Sequence, residues 1–570
     1  MLIRPVLLVA LLTGCASLST NGEPERPAPA QVVQPAAATA HPLATDAAMA
    51  VMAAGGNAYD AAVAAAAVLG VVEPYSAGLG GGGFWLLRDR DGQARVIDAR
   101  ETAPGEAHPG LYLDEDGDVL AGNPSLNGPL AAGIPGQPAA LAHISETHGQ
   151  LPLAVSLAEA IRMAGEGFAV DERYQRLAQW RAEVMARDET TREIFLAGGE
   201  QAPEKGTRIR QPALAQTLQT LASEGRSGFY EGELAQRLVA DVRQAGGIWR
   251  VEDLRDYALI EREPVRIRHG DAEILTAPAP SAGGIALSQM FTMLEIRPAP
   301  ESTAGRVHHL AEIMRRAYHD RAFHLGDPDY TDIPTEALLS REYLRQRADS
   351  INPDRATPSD SLTGLEPGGR DTTHLSVVDA SGNMVSATLS INYPFGAAVT
   401  SPATGVLLNN EMDDFSIKPG EPNVYGLVGG QANQVQAGKR PLSSMSPSIL
   451  ITPDAHWVLG TPGGSRIITM NFLALLAALE GADPETVVAQ PRFHHQYRPD
   501  QIQHEPGAFS ADVAAALVEK GHHLEDVGRE YGNMQLIRIH PDGRSEAASD
   551  PRGRGAARAG ETPQQRGGGR

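Results

Sequence analysis

The stretch "DTTHLSVVDASGNMVSATLSINYPFG", residues 371–396, decides how the rest of the chain is read. Two strand-like runs rich in Val, Thr, Leu and Ser flank Ser381-Gly382-Asn383, a turn signal, so the segment reads as a β-hairpin. It opens on Thr372-Thr373-His374. A threonine hydroxyl is a weak nucleophile unless a base sits beside it. If the peptide bond before Thr372 is cut, the new α-amine lies close to its own Oγ and can serve as that base. A free α-amine has a pKa near 8, suited to general-base work at neutral pH. The plain alternative is a threonine that merely opens a strand.

Upstream of Asp371 the texture differs. Residues 109–370 alternate amphipathic helices with turns. "LAQTLQTLASEG" and "LAQRLVADVRQAGG" are helices with glycine stops, and "VHHLAEIMRRAYHDRAFHLG" is a further, charged one. Nearer the start, residues 43–54 are helix-like and stop at Gly55-Gly56. Asn57 can cap a second helix over residues 58–71, apolar nearly all round and ended by Pro74, which reads as a core helix. The glycine run of "AGLGGGGFWLL" lacks the Lys-Ser/Thr of a phosphate loop, so close backbone packing is expected there. Strands are expected at residues 84–87 and 95–99. Downstream of the hairpin, strands are expected at 406–408 and 448–451, and an apolar helix at 467–479. No internal repeat at solenoid periods is found. Buried helices mixed with antiparallel strands give an α/β or α+β layered fold.

The 570 residues would allow about four domains or one large enzyme core, and 42 % apolar residues can fill it. A net charge of −22 argues against a nucleic-acid partner, which needs clustered Lys and Arg. It does not exclude an anionic substrate, since one well-placed Arg can dominate a local field. The single cysteine, Cys15, permits no intrachain disulfide. It ends Leu12-Thr13-Gly14-Cys15, after Arg4 and an apolar run at 6–12 that is far shorter than the ~20 residues of a membrane span. This fits a lipoprotein-type signal over residues 1–14 with Cys15 lipidated, an exported and periplasmic protein, and a membrane anchor that does not span the bilayer. An ordinary signal peptide with an incidental cysteine is the alternative. Residues 15–40, rich in Pro and Ala, read as a linker. Residues 552–570 read as a disordered Arg/Gly tail.

Chemistry narrows by elimination. HExxH, paired CxxC and Gly-x-Ser-x-Gly patterns are absent from the sequence. The pairs His308-His309, His494-His495 and His522-His523 are sequence neighbours, which point apart and chelate poorly, so they read as structural.

The hairpin segment, together with "GVLLNNEMDDFS", "PNVYGLVGG", "KRPLSSMSPSI" and "TPGGSRIIT", resembles the small-subunit signature of γ-glutamyltransferases. "GGNAYDAAVAAA", "GLGGGGFWLL" and "DARETAPG" resemble the large subunit. The likeness runs in order from about His41 to Arg552. It implies a four-layer αββα fold of the N-terminal-nucleophile hydrolase type, and a chain that cuts itself between Asp371 and Thr372 into a large subunit (41–371) and a small one (372–551). Thr372 matches the family nucleophile. Gly463 and Gly464 match the oxyanion-hole pair, although a simple turn is the plain alternative for them. Arg100 matches the residue that grips the substrate α-carboxylate, with a surface salt bridge as its plain alternative. Ser443 and Ser444 match hydroxyl donors. Asn392, Glu411 and Asp414 match acceptors around the α-ammonium, with a solvated acidic face as the alternative for the two acids. Ser390 stands where many relatives are expected to carry threonine, so the hydroxyl stays but is less fixed. Glu411 stands where some relatives carry glutamine. Tyr425 matches a lid loop.

The implied reaction is ping-pong transfer of a γ-glutamyl group from glutathione or a similar amide to water or to an amino-acid or peptide amine, with no metal or organic cofactor. One rival is a cephalosporin (glutaryl) acylase on the same fold, whose acyl group lacks the α-ammonium. Another is a non-catalytic binding lipoprotein.

Overall fold

A computed structural model describes residues 32–361, 372–418, 427 and 429–561. The expectations placed on the signal segment, Cys15, Asp371, Tyr425 and residues 562–570 lie outside the described residues.

The hairpin forms as read. Thr373–Val378 pairs antiparallel with Met384–Ser390, from Thr373 opposite Leu389 to Val378 opposite Met384. Its turn is held by Asp379, whose Oδ1 accepts from the amides of Ser381 (2.8 Å) and Asn383 (3.0 Å). Gly382 supplies the positive φ, 88°, that the turn needs. Asp379 Oδ2 also accepts from the Ala58 amide at 2.9 Å, which ties the turn to the start of helix Ala58–Val72. That helix is capped by Asn57, whose Oδ1 accepts from Tyr59 and Asp60 while Asp60 reaches back to the Asn57 amide. It is buried on all sides, as its sequence demanded.

The hairpin is the middle of a seven-stranded sheet. In spatial order the strands are Ala556–Ala559, Ala36–Thr39, Thr373–Val378, Met384–Ser390, Gly82–Arg88, Ala94–Ala99 and Ile260–Arg262. A six-stranded sheet runs Ser545–Ser549, Gln535–Ile539, His456–Gly460, Ser448–Ile451, Ala272–Thr276 and Val265–His269.

Side chains alternate along each strand, so one face of each sheet can be assigned to one apolar cluster. Phe84, Leu86 and Val378 of the first sheet pack with Leu275, Ile449, Val458 and Ile537 of the second. Trp85, Leu87, Leu375, Val377 and Ala387, on the opposite face of the first sheet, pack with helices such as Ala58–Val72 and Leu153–Glu166. Ile274, Leu450, Trp457 and Leu459 face the other way, onto Gly283–Ile296, Thr303–His324 and Ile467–Leu479. The layers therefore follow one another as helices, sheet, sheet, helices.

The glycine run is a close-packing device. A Cβ on Gly80, Gly81, Gly82 or Gly83 would lie 2.0, 2.1, 2.2 or 2.3 Å from the carbonyl oxygens of Leu407, Ser390, Ala99 and Thr388 respectively. Backbone on backbone cannot give way, so only glycine fits.

Three boundaries differ from the sequence reading. Residues 36–39 are a buried strand and not the end of a linker. Residues 556–559 are a strand paired with them, so the loose tail does not begin at 552. Both are short, Ala-rich segments whose extended form comes from pairing with distant partners, which local propensity does not report. Residues 406–408 make one isolated bridge, Leu407 to Thr400, in place of a strand. Among the paired histidines, His308 Nδ1 and His522 Nε2 meet at 2.7 Å across two segments, while His309 Nε2 turns to the Arg297 carbonyl at 2.7 Å.

Candidate active site

Strand parity selects one of the two adjacent threonines. Thr373 shares its face with Leu375 and Val377, toward the helices, and donates from Oγ1 to Glu73 at 2.9 Å. Thr372 is one residue out of phase and faces the space between the sheets. There it lines a cavity with Ser390, at the far end of the partner strand, and with Arg100, Asn392, Glu411, Asp414, Ser443, Ser444 and Gly464. These residues, matched by sequence alone, thus converge on one place from segments as far apart as Arg100 and Gly464. Thr372 itself is 4 % exposed.

His374 also faces the inter-sheet space but is spent elsewhere. Its Nδ1 meets Thr388 Oγ1 at 2.9 Å and its Nε2 meets Ser376 Oγ at 3.3 Å. Burial lowers its pKa to about 3, so it stays neutral between the sheets.

Ser390 Oγ accepts from the Asn392 amide at 2.7 Å. Asn392 holds a left-handed φ of 70°, which asparagine tolerates better than most residues, and its Nδ2 donates to the Asn410 carbonyl at 2.9 Å. Asn409 and Asn410 brace this corner from within. Asn409 Nδ2 donates to Gly80 (2.6 Å) and Gly133 (2.7 Å), and its Oδ1 accepts from the Glu411 amide at 2.9 Å.

Glu411–Asp414 is a 3₁₀ turn. Its three residues per turn put Glu411 and Asp414 on one side. Asp413 points away, to Ser125 Oγ at 2.8 Å. Both inward acids pair with the Arg100 guanidinium, which lies at the end of strand Ala94–Ala99 and is 1 % exposed. Arg100 Nε also donates to the Pro441 carbonyl at 3.2 Å. A surface salt bridge is therefore excluded for Arg100, and a solvated face for Glu411.

Arg321, on helix Thr303–His324, completes the cluster and was not singled out by the sequence reading. It is buried and donates to Ser444 Oγ at 3.2 Å. The motif around it, "RRAYHDRAFHLG", reads as an ordinary amphipathic helix, and nothing in its period marks one arginine as inward.

The charges can be counted. Arg100 and Arg321 face the carboxyls of Glu411, Asp414 and Glu101, the last 3.8 Å from Arg100. Burial and then the neighbouring Glu411 push Glu101 well above the ordinary carboxyl range, so it takes up the surplus as a proton. Burial lifts Glu411 to about 7, against the pull of Arg100. Arg100 is held above its ordinary value because Glu411 and Asp414 outweigh its burial. Arg321 drops to about 10 through burial.

Opposite this cluster, Gly463 and Gly464 join strand His456–Gly460 to helix Ile467–Leu479, with φ of 148° and 55°. Both lie in the left-handed half of the map, and a Cβ on Gly463 would sit 2.4 Å from Met470 Cε. The helix N-terminus beyond them adds its positive end to the same spot. Ser443 Oγ accepts from the Met445 amide at 3.0 Å, which orients the hydroxyl at the cavity wall. The arrangement offers a hydroxyl nucleophile, an anion-stabilising loop, two guanidiniums for a carboxylate and an acidic pair for an ammonium. Among the described residues no cluster of His, Cys, Asp and Glu suits a metal ion, and no helix is long and apolar enough to cross a membrane.

The family model "Gamma-glutamyltranspeptidase" matches residues 44–560. The chain is 37 % identical to a glutathione hydrolase proenzyme of Escherichia coli (strain K12), over 96 % of this chain and 97 % of that one. It is 43 % identical to a glutathione hydrolase proenzyme of Pseudomonas aeruginosa, over 89 % and 91 %. Among solved structures it is similar to a cephalosporin acylase from Bacillus halodurans (TM-score 0.82, 28 % identity, 96 % of this chain and 100 % of that one). It is also similar to the γ-glutamyltranspeptidase of Helicobacter pylori (TM-score 0.55, 31 % identity, 60 % and 97 %).

Proposed function

The chain belongs to the γ-glutamyltranspeptidase family, and from that premise we propose that it hydrolyses and transfers γ-glutamyl groups through Thr372, freed by a cut after Asp371. The observation that carries this is that Thr372, and not Thr373, shares a cavity with Gly464, Arg100, Glu411 and Asp414.

The Thr372 α-amine takes the Oγ proton as Oγ attacks the γ-carbonyl of glutathione or another γ-glutamyl amide. The oxyanion faces the Gly463 and Gly464 amides. The amine leaves with the transferred proton, and a glutamyl ester of Thr372 remains. Water or an incoming amine then attacks the ester and gives a proton to the α-amine, which passes it to the departing Thr372 Oγ, so that glutamate or a new γ-glutamyl amide leaves and the threonine is restored. Arg100, with the Ser443 and Ser444 hydroxyls, holds the α-carboxylate, while Asn392, Glu411 and Asp414 receive the α-ammonium. Ser390 steadies the amine or the oxygen of Thr372. Tyr425 belongs to the lid of this reading.

The likeness to a cephalosporin acylase raises the glutaryl alternative. A glutaryl group has no ammonium, so it would leave the buried Glu411 and the partly buried Asp414 without the ammonium they are placed to receive. The γ-glutamyl reading is therefore favoured.

The test is N-terminal sequencing of mature protein together with hydrolysis of γ-glutamyl anilide. Wild type should give a fragment beginning at Thr372. Thr372→Ala should give one uncut chain and no turnover. Normal cutting in that variant would remove Thr372 from both roles. Export and anchoring through Cys15 form part of the same proposal, supported by the lipobox pattern. Cys15→Ser should move the protein from the membrane fraction to the soluble one, and continued membrane retention would end that part.

A further inference from the structure

Gly463 and Gly464 have left-handed backbones and no side chains, so nothing of their own fixes where their amides point. Neither amide donates to a protein acceptor among the described residues. The loop's own bonds run from the Arg466 amide to the Gly463 carbonyl at 3.1 Å and from the Ile467 amide to the Gly464 carbonyl. Such a short turn needs further restraint if its amides are to hold one direction.

That restraint comes from buried hydroxyls. Tyr318, on helix Thr303–His324, donates from Oη to the Ser465 carbonyl, and Thr469 Oγ1 donates to the next carbonyl, that of Arg466, at 3.0 Å. The Tyr318 ring is 1 % exposed and meets the His494 ring edge-on, with centroids 5.5 Å apart at 84°. His494 Nδ1 meets Thr469 Oγ1 at 2.7 Å, and its Nε2 meets Gln496 Oε1 at 2.7 Å. His494 therefore touches both hydroxyl-bearing side chains, one through its ring and one through its nitrogen. Burial raises the Tyr318 phenol above its ordinary value and keeps His494 neutral, so the phenol stays a donor at neutral pH. Three residues on from Tyr318, Arg321 donates to Ser444 Oγ at 3.2 Å. One turn of this helix thus holds both the glycine loop and the wall that faces it.

Any buried phenol needs an acceptor. What sets Tyr318 apart is that its acceptor belongs to the residue after Gly464. We propose that Tyr318 is a positioning residue for the oxyanion loop: it holds the Ser465 carbonyl, Thr469 holds the next one, and together they aim the Gly463 and Gly464 amides at the oxygen that becomes negative when Thr372 attacks. This rests on the γ-glutamyl reading. Amides fixed in advance stabilise the transition state and not the bound donor, so their loss of aim falls on kcat and spares KM.

Tyr318→Phe keeps the ring and its contact with His494 and removes one hydroxyl. Per mole of cleaved small subunit, kcat for γ-glutamyl p-nitroanilide should fall about 10- to 100-fold, with KM within twofold of wild type. A glutamate analogue with a boronic acid in place of the γ-carboxyl forms a tetrahedral adduct on a hydroxyl nucleophile and puts an oxygen where the oxyanion would be; its affinity should fall by a similar factor. Thr469→Val should lower kcat in the same way, and Thr469→Ser, which keeps the hydroxyl, should not. A kcat and a boronic-acid affinity within twofold of wild type in Tyr318→Phe overturn the proposal, as does a loss confined to KM. Should Tyr318→Phe not mature, the Thr469 pair decides: equal kcat in Thr469→Val and Thr469→Ser overturns the proposal. Wild type that leaves γ-glutamyl p-nitroanilide uncleaved sinks the γ-glutamyl reading and this role with it, whereas wild-type turnover matched by Tyr318→Phe sinks this role alone.

Discussion

Replacing Arg100 by lysine tests the carboxylate grip without emptying the site. Arg100→Ala would take from Glu411 and Asp414 the guanidinium with which both pair, and breaking a buried pair costs about 3–5 kcal/mol, enough to mix folding with binding. Lysine keeps the charge and loses the planar fork. The guanidinium already holds both acids through its terminal nitrogens and the Pro441 carbonyl through Nε. A bound α-carboxylate therefore draws on the fork geometry, and a point charge replaces at most one of two parallel contacts. One charge-assisted hydrogen bond is worth about 1.5–3 kcal/mol, or roughly 10- to 150-fold in kcat/KM. The assay pairs γ-glutamyl anilide with 4-aminobutyryl anilide, which keeps the ammonium and lacks the α-carboxylate. The loss should appear on the first and be nearly absent on the second. An equal loss on both, or none on either, would show that Arg100 does not grip that carboxylate.

Two further outcomes follow from the same geometry. Burial lifts Glu411 to about 7, above its ordinary value, so its charged, ammonium-accepting form is lost as pH falls through 7. KM for γ-glutamyl donors should rise about tenfold per pH unit below that point, and Glu411→Gln should flatten the rise while the step due to the Thr372 amine, near 8, persists; a pH profile of kcat/KM unchanged by the substitution would detach Glu411 from donor binding. Gly81→Ala would bring a Cβ to 2.1 Å from the Ser390 carbonyl oxygen. Strands and loop must separate, so thermal unfolding should show a loss of at least about 1–3 kcal/mol, and a variant with unchanged melting temperature would contradict the packing described for the glycine run.

The sequence was most informative where local rules and the fold agree. Asn57 is a cap by residue type and spacing, and it caps. Ser381-Gly382-Asn383 reads as a turn, and it is one. The four glycines read as close contacts, and each is closed by a carbonyl. What escaped depends on partners far away in the chain. Ala36–Thr39 has no strand signature of its own and is extended because the hairpin strand and Ala556–Ala559 lie on either side. Arg321 points inward because Ser444 and Asp414 are there, which a helical period cannot reveal. The choice between Thr372 and Thr373 is intermediate: parity is legible in the sequence, but which parity faces the second sheet is not.

The order of strands also says why a cut before Thr372 need not take the molecule apart. In the seven-stranded sheet, Ala36–Thr39 lies between Ala556–Ala559 and Thr373–Val378, so a strand from before the cut is bonded on both edges to strands from after it. Met384–Ser390, from after the cut, is bonded in turn to Gly82–Arg88, from before it. The six-stranded sheet repeats the junction once, where Ser448–Ile451 meets Ala272–Thr276. Separating the two pieces means breaking ladders in the middle of both sheets and exposing the apolar layer between them, which amounts to unfolding. On the proposed reaction, the Thr372 amine can therefore be released while its strand stays fixed on both sides, so the proposed nucleophile would gain a free terminus and keep the position of an internal residue. A catalyst that needs both a free α-amine and a rigid hydroxyl requires that combination, and the interleaved sheet supplies it.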